Sequence, residues 1–416
     1  MIRGSTFGHP LISFIYPVPD DTPMGQQFTF IHCADLHLGS RFKGLGDTDP
    51  ALASKLRESV KESFERIIYA AVSRDVDALV ISGDVYDDRN ELPSTRLWFS
   101  EQLSRLRKPV FICKGNHDSD TSWDRSIAYP GNVHVFGTEP ERIPLGDGFE
   151  IIGVSYSTSH ETRNLASMIQ GDAARFTIAC LHCDLESVSE GYPYAPCSMS
   201  DLLGRSVDYW ALGHIHRRCV VSKSPYIVYP GNIQGRSFKE TGPKGAYIVT
   251  VRDRLVTGFE FIPTQSYEWA DLTVDIGGKT LNDVVGEISS ATSGQTICRI
   301  TFTGSGELDR MLRINPQDVM RAISRRMLVS SMEVRTAPPF DLESRSDGKD
   351  MAAALIRAYE DACKLSKEQV VDIICRNKVA RNSRDFYMSM SEDELHNLLQ
   401  ESLLNILAKM EGISCR

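Results

Sequence analysis

The sequence lacks any apolar run that approaches the roughly 18 residues a membrane-spanning helix needs. Its one apolar patch near the start, residues 11–16, is bracketed by Pro10 and Pro17. No convincing small-residue cleavage site follows the patch, so it does not have the form of a signal peptide. The sequence also contains no internal repeat and no low-complexity tract. These absences predict a soluble, cytoplasmic globular protein with no membrane partner.

Cysteine occurs, but not in the pattern of a zinc site. Ten cysteines are scattered along the chain, and the only close pair, Cys180 and Cys183, lacks the second CxxC that would complete a tetrahedral site. A reducing compartment fits this scatter, and we expect the pair to pack in a strand core.

Positive charge is not in excess. The 46 Lys and Arg residues against 55 Asp and Glu give a formal charge of −9, which argues against a protein that coats nucleic acid through bulk charge. Any nucleic-acid groove must therefore be local. An acidic total is also expected where carboxylates hold metal ions.

The order of predicted elements gives the domain organisation. From Phe28, short β-rich runs alternate with amphipathic stretches near residues 52–73 and 94–106, a β-α-β-α-β pattern. After Gly131 the runs become shorter and strand-dominated, which predicts a second sheet packed on the first. We predict a flexible N-terminal extension at 1–27, of which residues 1–23 are dispensable, a main domain at 28–263, a small α+β capping domain at 264–340, and a linker with C-terminal helices at 341–416.

The last predicted helix has a distinct start and a distinct apolar stripe. Ser391 and Glu394 form a capping-box pattern at its start. The stripe covers residues 395–410 and is wide for a tail that follows a linker. It must be buried, either against the same chain or against a partner.

Five short motifs each fall where a predicted strand gives way to a loop, the position at which open α/β sheets place their sites. The motifs are Asp35-Leu36-His37, Gly83-Asp84, Gly115-Asn116-His117-Asp118, His182 and Gly213-His214-Ile215-His216. In extended backbone, the two side chains of the D-x-H and H-x-H motifs would project to the same side. Imidazoles, carboxylates and one amide oxygen suit two adjacent Mn²⁺, Fe or Zn ions.

The motif residues divide into two ligand sets that share one bridging carboxylate. The first set is Asp35, His37, Asp84 and His216, and the second is Asp84, Asn116, His182 and His214. Two ions about 3.5–4 Å apart can generate a hydroxide at neutral pH and stabilise both the attacking and the leaving oxygen at phosphorus. His117 is left to donate a proton to the leaving oxygen or to stabilise developing charge, and Asp118 could orient it.

The ordered set resembles the calcineurin-like metallophosphoesterase signature over about residues 28–263. The resemblance implies a four-layer α/β/β/α sandwich of the α/β (α+β) class, with the family's metal ligands at the positions just assigned. The string HCADLHLG at 32–39 resembles the first motif of SbcD-type nucleases, and YPGNIQGR at 229–236 with ETGPKG at 240–245 is similar to a YhaO-like branch of them. The match to protein phosphatases is poorer, because this chain has GDVYDDR and GNHD where they have GDxVDRG and GNHE.

The resemblance implies a metal-dependent DNA exonuclease or endonuclease of DNA repair, with two Mn²⁺ ions and a metal-bound hydroxide as nucleophile. Its partners would be DNA and an SbcC-like ATPase of the SMC family docked on the C-terminal helices. A second copy of the chain is a further candidate. Basic residues beside the metal motifs are candidate contacts to a DNA backbone, with ordinary solvated charge as the alternative: Arg41, Lys43, Arg89, Arg217, Arg218, Arg236 and Lys239.

Two other functions are also compatible with the sequence. A small-molecule phosphodiesterase acting on nucleotides or phospholipid head groups would share every metal ligand. A non-catalytic scaffold that presents a repair ATPase to DNA would not need an intact ligand set. The modules after the main domain favour the nuclease, because a diesterase of small substrates has little use for them.

Overall fold

The computed structural model describes residues 26–40, 42, 50–87, 92–119, 127–186, 194–293, 295–324, 327–339 and 346–410. The predicted N-terminal extension therefore lies outside the described residues, except for its last two positions. The first residues of the predicted linker, 341–345, also lie outside them.

The strands and helices are numbered here in chain order. The strands are β1 (Gln27–Cys33), β2 (Ala78–Ser82), β3 (Val110–Cys113), β4 (Val133–Val135), β5 (Glu141–Pro144), β6 (Phe149–Val154), β7 (Phe176–His182), β8 (Asp184–Leu185), β9 (Pro196–Cys197), β10 (Tyr209–Gly213), β11 (Cys219–Lys223), β12 (Tyr226–Tyr229), β13 (Gly245–Arg252), β14 (Leu255–Pro263), β15 (Glu268–Asp275), β16 (Thr296–Ser305) and β17 (Leu328–Ala337). The α-helices are α1 (Pro50–Ser73), α2 (Pro93–Arg105), α3 (Met199–Leu202), α4 (Leu281–Ser290), α5 (Leu308–Ile314), α6 (Pro316–Ser324), α7 (Met351–Ala362), α8 (Lys367–Ile374), α9 (Arg384–Ser389) and α10 (Glu392–Met410). Short 3₁₀ helices lie at Ala166–Met168 and Ala380–Ser383.

Two six-stranded mixed sheets form the main domain. The first has the order β14-β13-β1-β2-β3-β4, in which β1 to β4 are parallel and β13 and β14 are antiparallel to their neighbours. The second has the order β11-β12-β10-β7-β6-β5, with β12, β10, β7 and β6 parallel. A two-stranded pair of β8 and β9 extends beyond β7. The carboxyl ends of the parallel strands consequently share one edge in each sheet.

The alternation of apolar side chains along the buried strands builds four layers. In β2, Ala78 and Val80 pack with the second sheet, whereas Leu79 and Ile81 pack on the other face with α1 and α2. In β7, Ile178 belongs to the core between the sheets, and its neighbour Ala179 belongs to a third cluster that includes Ala166 and Leu202. The four-layer α/β/β/α prediction is confirmed, with an outer layer on the second sheet that is thin because its helical pieces are short.

A third, three-stranded parallel sheet follows the main domain in the order β15-β16-β17. Helices α4, α5 and α6 cover it, and the shared core includes Val284, Ile300 and Val319. The strands and helices of this region agree with the α+β content predicted for it. We propose the boundaries at 264 and 341 as those of a separate module.

The C-terminal helices pack on one another. Ile356 of α7 contacts Leu403 and Leu407 of α10, and Val371 of α8 clusters with Leu395 of α10. The capping box at the start of α10 is present, since Ser391 N–H donates to Glu394 Oε2 at 2.7 Å and Glu394 N–H donates to Ser391 Oγ at 3.1 Å. The stripe on α10 is therefore covered largely by the chain's own helices.

Membrane insertion finds no support in the helices. Within the described ranges, no helix combines the length and the apolar character that crossing a bilayer requires.

Candidate metal centre

The five predicted motifs meet where the two sheets touch at their carboxyl edges. The motifs follow β1, β2 and β3 of the first sheet and β7 and β10 of the second. Ser82, the last residue of β2, ties the sheets together: its Oγ donates to the carbonyl of Ala211 at 2.8 Å, and its own carbonyl lies 2.9 Å from His182 Nδ1. This junction brings together residues that are far apart in the chain.

One cluster of candidate ligands consists of Asp35, His37 and His216. Their ligand atoms lie within 4.8 Å of one another. The Nε2 atoms of His37 and His216 are 3.0 Å apart. Asp35 and His37 are completely withdrawn from solvent or nearly so, and His216 is partly exposed. These are residues of the first predicted ligand set.

A second cluster consists of Asp35, Asp84 and His182, again with ligand atoms within 4.8 Å. His182 Nε2 lies 3.1 Å from Asn116 Oδ1 and 3.6 Å from Asp84 Oδ2. The same Asp84 oxygen is 3.8 Å from His37 Nε2. Asp84 thus lies between the two clusters, and Asp35 belongs to both of them.

His214 stands somewhat apart from these clusters. Its ring centroid lies 5.2 Å from that of His182, and its backbone N–H donates to both carboxylate oxygens of Asp35 at 3.1 and 3.2 Å. His214 therefore faces the cluster assigned to the second ion, while its backbone holds a carboxylate of the first.

The backbone at these motifs is not extended, which corrects the expected geometry of the D-x-H and H-x-H pairs. The φ angles are 52° at Asp35, 47° at His37, 51° at Asp84 and 107° at His214. Each strand ends before its motif, and non-glycine residues in this left-handed region cost roughly 1–3 kcal/mol each. The side chains converge because tight turns redirect them, and not because alternate residues of a strand share a face.

Burial and neighbouring charges favour the protonation states that metal binding needs at His37, His214 and Asp84, whereas burial opposes ionisation of Asp35. Burial lowers the pKa of His214 from 6.5 to about 3, and it holds the pKa of His37 well below the ordinary histidine value. Burial alone would raise the pKa of Asp84, but the nearby imidazoles of His182 and His117 outweigh it and lower that pKa. Burial raises the pKa of Asp35. Neutral imidazoles and an ionised Asp84 are the states in which these groups coordinate a divalent ion.

The chemistry of this donor set fits two divalent ions. Two imidazole nitrogens that face each other at 3.0 Å match two nitrogen ligands on one ion, each about 2.0–2.1 Å from it. His182 Nδ1 must donate to the Ser82 carbonyl, because a carbonyl oxygen only accepts, so its Nε2 carries the lone pair that points at Asp84. The residues present therefore fit the predicted ligand types, and the division into two sets remains a proposal.

His117 lies beside both clusters, but its expected partner is wrong. Asp118 accepts from the backbone N–H groups of Gly115 and Val85, each at 2.8 Å, and braces the turn itself. His117 Nδ1 instead donates to the carbonyl of Asp87 at 2.8 Å. The backbone of the second motif, and not the neighbouring carboxylate, thus orients this ring.

The seven basic candidates for DNA contact have different outcomes. Arg41, Lys43 and Arg89 lie outside the described residues. Arg217, Arg218 and Lys239 are exposed near the H-x-H motif, with Arg218 stacked 3.9 Å above the Phe261 ring.

Arg236 does not have the free guanidinium that a phosphate contact would need. Its Nη1 donates to Asp87 Oδ1 at 2.6 Å, and its Nη2 lies 3.5 Å from Glu240 Oε1. The prediction of a DNA contact at this position is therefore corrected, because two carboxylates of the same protein already engage this side chain.

Two residues of the centre were missed by the sequence reasoning, Asp87 and Glu240. Asp87 Oδ1 lies 3.0 Å from His37 Nδ1, and Asp87, His37 and His117 form a third group of closely spaced ligand atoms. Glu240 Oε1 lies 2.7 Å from His216 Nδ1. The only available signal was their place in the GDVYDDR and ETGPKG strings, where carboxylates lie close in sequence to predicted metal ligands.

The cysteine pair has the core position that was expected of it. Cys180 and Cys183 are fully buried thiols on either side of His182. Cys183 Sγ lies 3.7 Å from Cys197 Sγ, and contact with that thiol together with burial raises the pKa of Cys183. No cluster of metal-ligand atoms found among the described residues includes a cysteine.

Several known proteins are similar to this chain in sequence. Residues 28–218 match the family model described as calcineurin-like phosphoesterase. The chain is 37% identical over 263 residues to the uncharacterized metallophosphoesterase YhaO of Bacillus subtilis, covering 60% of this chain and 63% of that protein. It is 26% identical over 282 residues to the DNA double-strand break repair protein Mre11 of Methanosarcina acetivorans, covering 61% and 41%. It is 23% identical over 257 residues to one of the subunits of the nuclease SbcCD of Bacillus subtilis, covering 51% and 63%.

These matches leave much of each relative uncovered. The alignments span between 41% and 63% of the length of the three proteins, less than two thirds in every case. Among solved structures, a Thermus thermophilus protein covers 58% of this chain at 12% identity and a TM-score of 0.38, and a dimetal phosphatase from Danio rerio covers 57% at 12% and 0.35. At these TM-scores, neither likeness bears on what the chain does.

Proposed function

We propose that the chain is a two-metal phosphodiesterase that cleaves DNA, since residues 28–218 match the family model described as calcineurin-like phosphoesterase. Mn²⁺ is the proposed metal, and Fe and Zn are the alternatives that the same ligand types suit. The proposed reaction is hydrolysis of a phosphodiester bond by water, without a covalent enzyme intermediate.

The position of Asp84 is the observation that carries the proposal. Its Oδ2 is 3.8 Å from His37 Nε2 and 3.6 Å from His182 Nε2, so a single carboxylate faces the imidazoles of both clusters. A buried carboxylate between two sets of neutral imidazoles suits a pair of neighbouring cations, because without them its charge would be poorly compensated.

The residues of the centre divide the work. Asp35, His37 and His216 hold one ion, Asn116, His182 and His214 hold the other, and Asp84 joins them. Two divalent ions, when bound, supply a hydroxide nucleophile at neutral pH and neutralise charge on both oxygens of an in-line displacement. His117, which is exposed and oriented through its Nδ1, is left with Nε2 as the ring nitrogen that can protonate the leaving oxygen.

Two observations support DNA as the substrate. Relatives with repair-protein and nuclease names are 26% and 23% identical to this chain over 282 and 257 residues. Exposed Arg217, Arg218 and Lys239 also lie near the H-x-H motif, where contacts to phosphates would position a strand without reading its sequence. A local basic surface of this kind is compatible with a net charge of −9.

An SMC-type ATPase is the proposed protein partner, and a second copy of the chain is the other candidate. The stripe on α10 is largely covered, so docking falls to the outer surface of the C-terminal helices. Ile373, Val379 and Phe386 expose 47%, 87% and 59% of their areas there. Three large apolar residues exposed within a short stretch of the chain support a surface there that meets another protein.

Two alternatives share some of this evidence. A phosphodiesterase of nucleotides or phospholipid head groups would use the same ligands, and a non-catalytic scaffold would keep the fold but not need the centre. The convergence of the ligand side chains and the burial of Asp35, His37, Asp84 and His182 among them disfavour the scaffold, since buried polar groups are costly to retain without use.

An assay supplemented with Mn²⁺ separates the three functions. Linear duplex DNA, single-stranded DNA and bis-p-nitrophenyl phosphate are compared for the wild-type chain and His182→Ala. The nuclease predicts cleavage of DNA and of the small diester, with both lost in the variant. Cleavage of the small diester without any cleavage of DNA favours a small-molecule substrate, and no hydrolysis at all supports the scaffold.

A further inference from the structure

His37 and His216, the two histidines of the first cluster, both direct Nε2 toward the centre and Nδ1 away from it. The Nε2 atoms of His37 and His216 face each other at 3.0 Å. The Nδ1 atom of each ring faces a carboxylate: Asp87 Oδ1 lies 3.0 Å from that of His37, and Glu240 Oε1 lies 2.7 Å from that of His216. Each imidazole is thus placed between the centre and one acidic side chain.

The two contacts differ in quality. The pair of His216 and Glu240 is a hydrogen bond, and since the carboxylate accepts, His216 Nδ1 is the donor. His37 Nδ1 has no aligned hydrogen bond among the described residues, although Asp87 Oδ1 is within reach. A small rotation of the ring or of the carboxylate would complete the second bond.

Arg236 connects the two carboxylates. Its Nη1 donates to Asp87 Oδ1 at 2.6 Å, its backbone N–H donates to Glu240 Oε2 at 2.7 Å, and its Nη2 lies 3.5 Å from Glu240 Oε1. Nη2 is also 3.3 Å from His216 Nδ1, but these two groups cannot bond each other while both are donors. The side chain is only 19% exposed, and both of its Nη atoms are directed at these carboxylates.

Other groups hold Glu240 in place. Asn232 Nδ2 donates to Glu240 Oε2 at 2.8 Å and to the carbonyl of Gln234 at 2.7 Å. The indole of Trp269, from the third sheet, donates to the carbonyl of Gly235 at 2.7 Å in the same loop. Hydrogen bonds from two sides therefore hold the loop that carries Arg236 and Glu240. A surface arginine that only binds a phosphate would not require such support.

In the second cluster, a backbone carbonyl and not a carboxylate orients the histidine ring. His182 Nδ1 donates to the backbone carbonyl of Ser82, with no acidic side chain involved. The two clusters consequently depend on different supports, and a change at Arg236 or Glu240 should reach only one of them.

We propose that Arg236, Glu240 and Asp87 form an acidic clamp of positioning residues that holds His37 and His216 as Nδ1–H tautomers with Nε2 directed at the first metal ion. The inference rests on the metal centre of the proposed function, and it does not depend on which phosphodiester is cleaved. Carboxylates that orient metal-bound histidines raise ligand basicity, and losing them typically lowers metal affinity about 10–100-fold. The linking arginine matters because its planar fork contacts both carboxylates, which a lysine cannot reproduce.

Titration of the metal-free full-length chain with Mn²⁺ tests the clamp without using activity. The variants are Glu240→Gln, Arg236→Lys and Arg236→Met, with Lys239→Met as the control in the same loop, because Lys239 is an exposed cation without a role in the clamp. We expect each clamp variant to weaken one of two Mn²⁺ sites by about 10–100-fold and to leave the other within about twofold. Lys239→Met should leave both sites unchanged.

Two outcomes of the titration overturn the inference. Unchanged affinities at both sites, with a loss only of DNA binding in Arg236→Met, would make Arg236 a phosphate contact after all. Equal weakening of both sites in all three variants, with a lower melting temperature, would make the loop a general structural support.

A second measurement keeps the clamp separable from the proposed function. Nitrogen-15 NMR of the histidine rings in the metal-free chain should show His216 as the Nδ1–H tautomer in wild type and as a mixture in Glu240→Gln. No change in the tautomer would sink the clamp even if the protein bound no Mn²⁺. A wild-type chain that binds two Mn²⁺ ions and passes both tests but cleaves no DNA would instead remove the proposed substrate and leave the clamp standing.

Discussion

The Nε2 atoms of His37 and His216 lie 3.0 Å apart, although 179 residues separate the two histidines in the chain. Two neutral imidazoles cannot both direct lone pairs at each other over this distance without repulsion. A cation between them removes the repulsion, and two nitrogens each about 2.0–2.1 Å from one ion have a comparable separation. The two histidines follow strands of different sheets, β1 and β10, so their distance depends on how the two sheets pack.

His117→Ala is expected to retain both metal ions and to lose turnover by roughly 10²–10⁴-fold, because the ring acts on the leaving oxygen and is not a ligand. Metal analysis of the purified protein and steady-state rates on bis-p-nitrophenyl phosphate measure the two effects. His134→Ala is the matched control, since His134 pairs with Glu141 and belongs to none of the groups of candidate ligands found among the described residues. A variant with clearly depleted metal, or with near-wild-type turnover, would contradict the role of His117.

Asp84→Asn is expected to weaken both metal sites together, because this carboxylate faces imidazoles of both clusters. Mn²⁺ titration should show two weakened sites in this variant and two unchanged sites in Asp77→Asn, where the carboxylate only accepts from the backbone of Thr29. Loss of one ion per chain with the other intact would show that Asp84 does not bridge. Asp35, which also belongs to both clusters, would then be the next residue to substitute.

Gly213→Ala is expected to destabilise the protein by roughly 1–3 kcal/mol or more, as overpacking does in a rigid interior. A Cβ at this position would meet the Ser82 carbonyl oxygen at 1.8 Å and His182 Nδ1 at 2.9 Å, at the junction of the two sheets. Urea unfolding measures the loss. Gly286→Ala in α4 is the control, and with no atom within 4 Å of the added Cβ it should gain roughly 0.5–1 kcal/mol. Equal effects of the two substitutions would argue against the tight junction.

Glu161 is expected to make folding stability depend on pH in the acid range. Hydrogen bonds from Arg163 lower the pKa of this side chain from 4.5 to about 2, with further help from Ser157. Because the folded pKa is depressed, the contribution is complete above pH 4.5 and is lost as the pH falls toward 2. A shift of one pKa unit corresponds to about 1.4 kcal/mol, so Glu161 contributes at most about 3 kcal/mol to the free energy of unfolding at neutral pH. This contribution falls to about half of that at pH 3.

Urea unfolding of wild type and Glu161→Gln at pH 7 and pH 3 measures this dependence. The difference in unfolding free energy between the two proteins should shrink at the lower pH. Glu139→Gln serves as the control, because Glu139 contacts the same arginine but is 72% exposed. A difference for Glu161→Gln that does not change with pH would rule out the charge as its cause.

Removal of residues 349–416 is expected to leave metal content and Mn²⁺-dependent cleavage of a small diester intact. The apolar clusters of this segment draw all their members from residues 352–407, so the cores of the two main sheets and of the third sheet keep their own residues. Co-purification with an SMC-type ATPase should be abolished. Unfolding or aggregation of the truncated chain without any partner would show that the helices belong to the fold and would remove the docking hypothesis.

The sequence by itself determined the parts of this protein that local patterns encode. The β-rich run DALVIS at residues 77–82 predicts a strand, and the structure confirms that strand and places Val80 and Ile81 in different cores. The residue types and order of the five motifs also sufficed to name a ligand set, since metal chemistry restricts which side chains can serve. Capping at Ser391 could be predicted because both of its partners lie within one helical turn.

The tertiary structure alone decided the parts that depend on distant neighbours and on turn geometry. Asp87 and Arg236 are 149 residues apart in the chain. No local sequence pattern shows that Arg236 pairs with this carboxylate and not with a phosphate. The partner of His117 depends on a turn that aims Asp118 at backbone N–H groups. Whether the α10 stripe faces its own chain depends on where α7 and α8 pack. The hydrophobic pattern of a helix predicts which face is buried, but only the packing of its neighbours determines what covers that face.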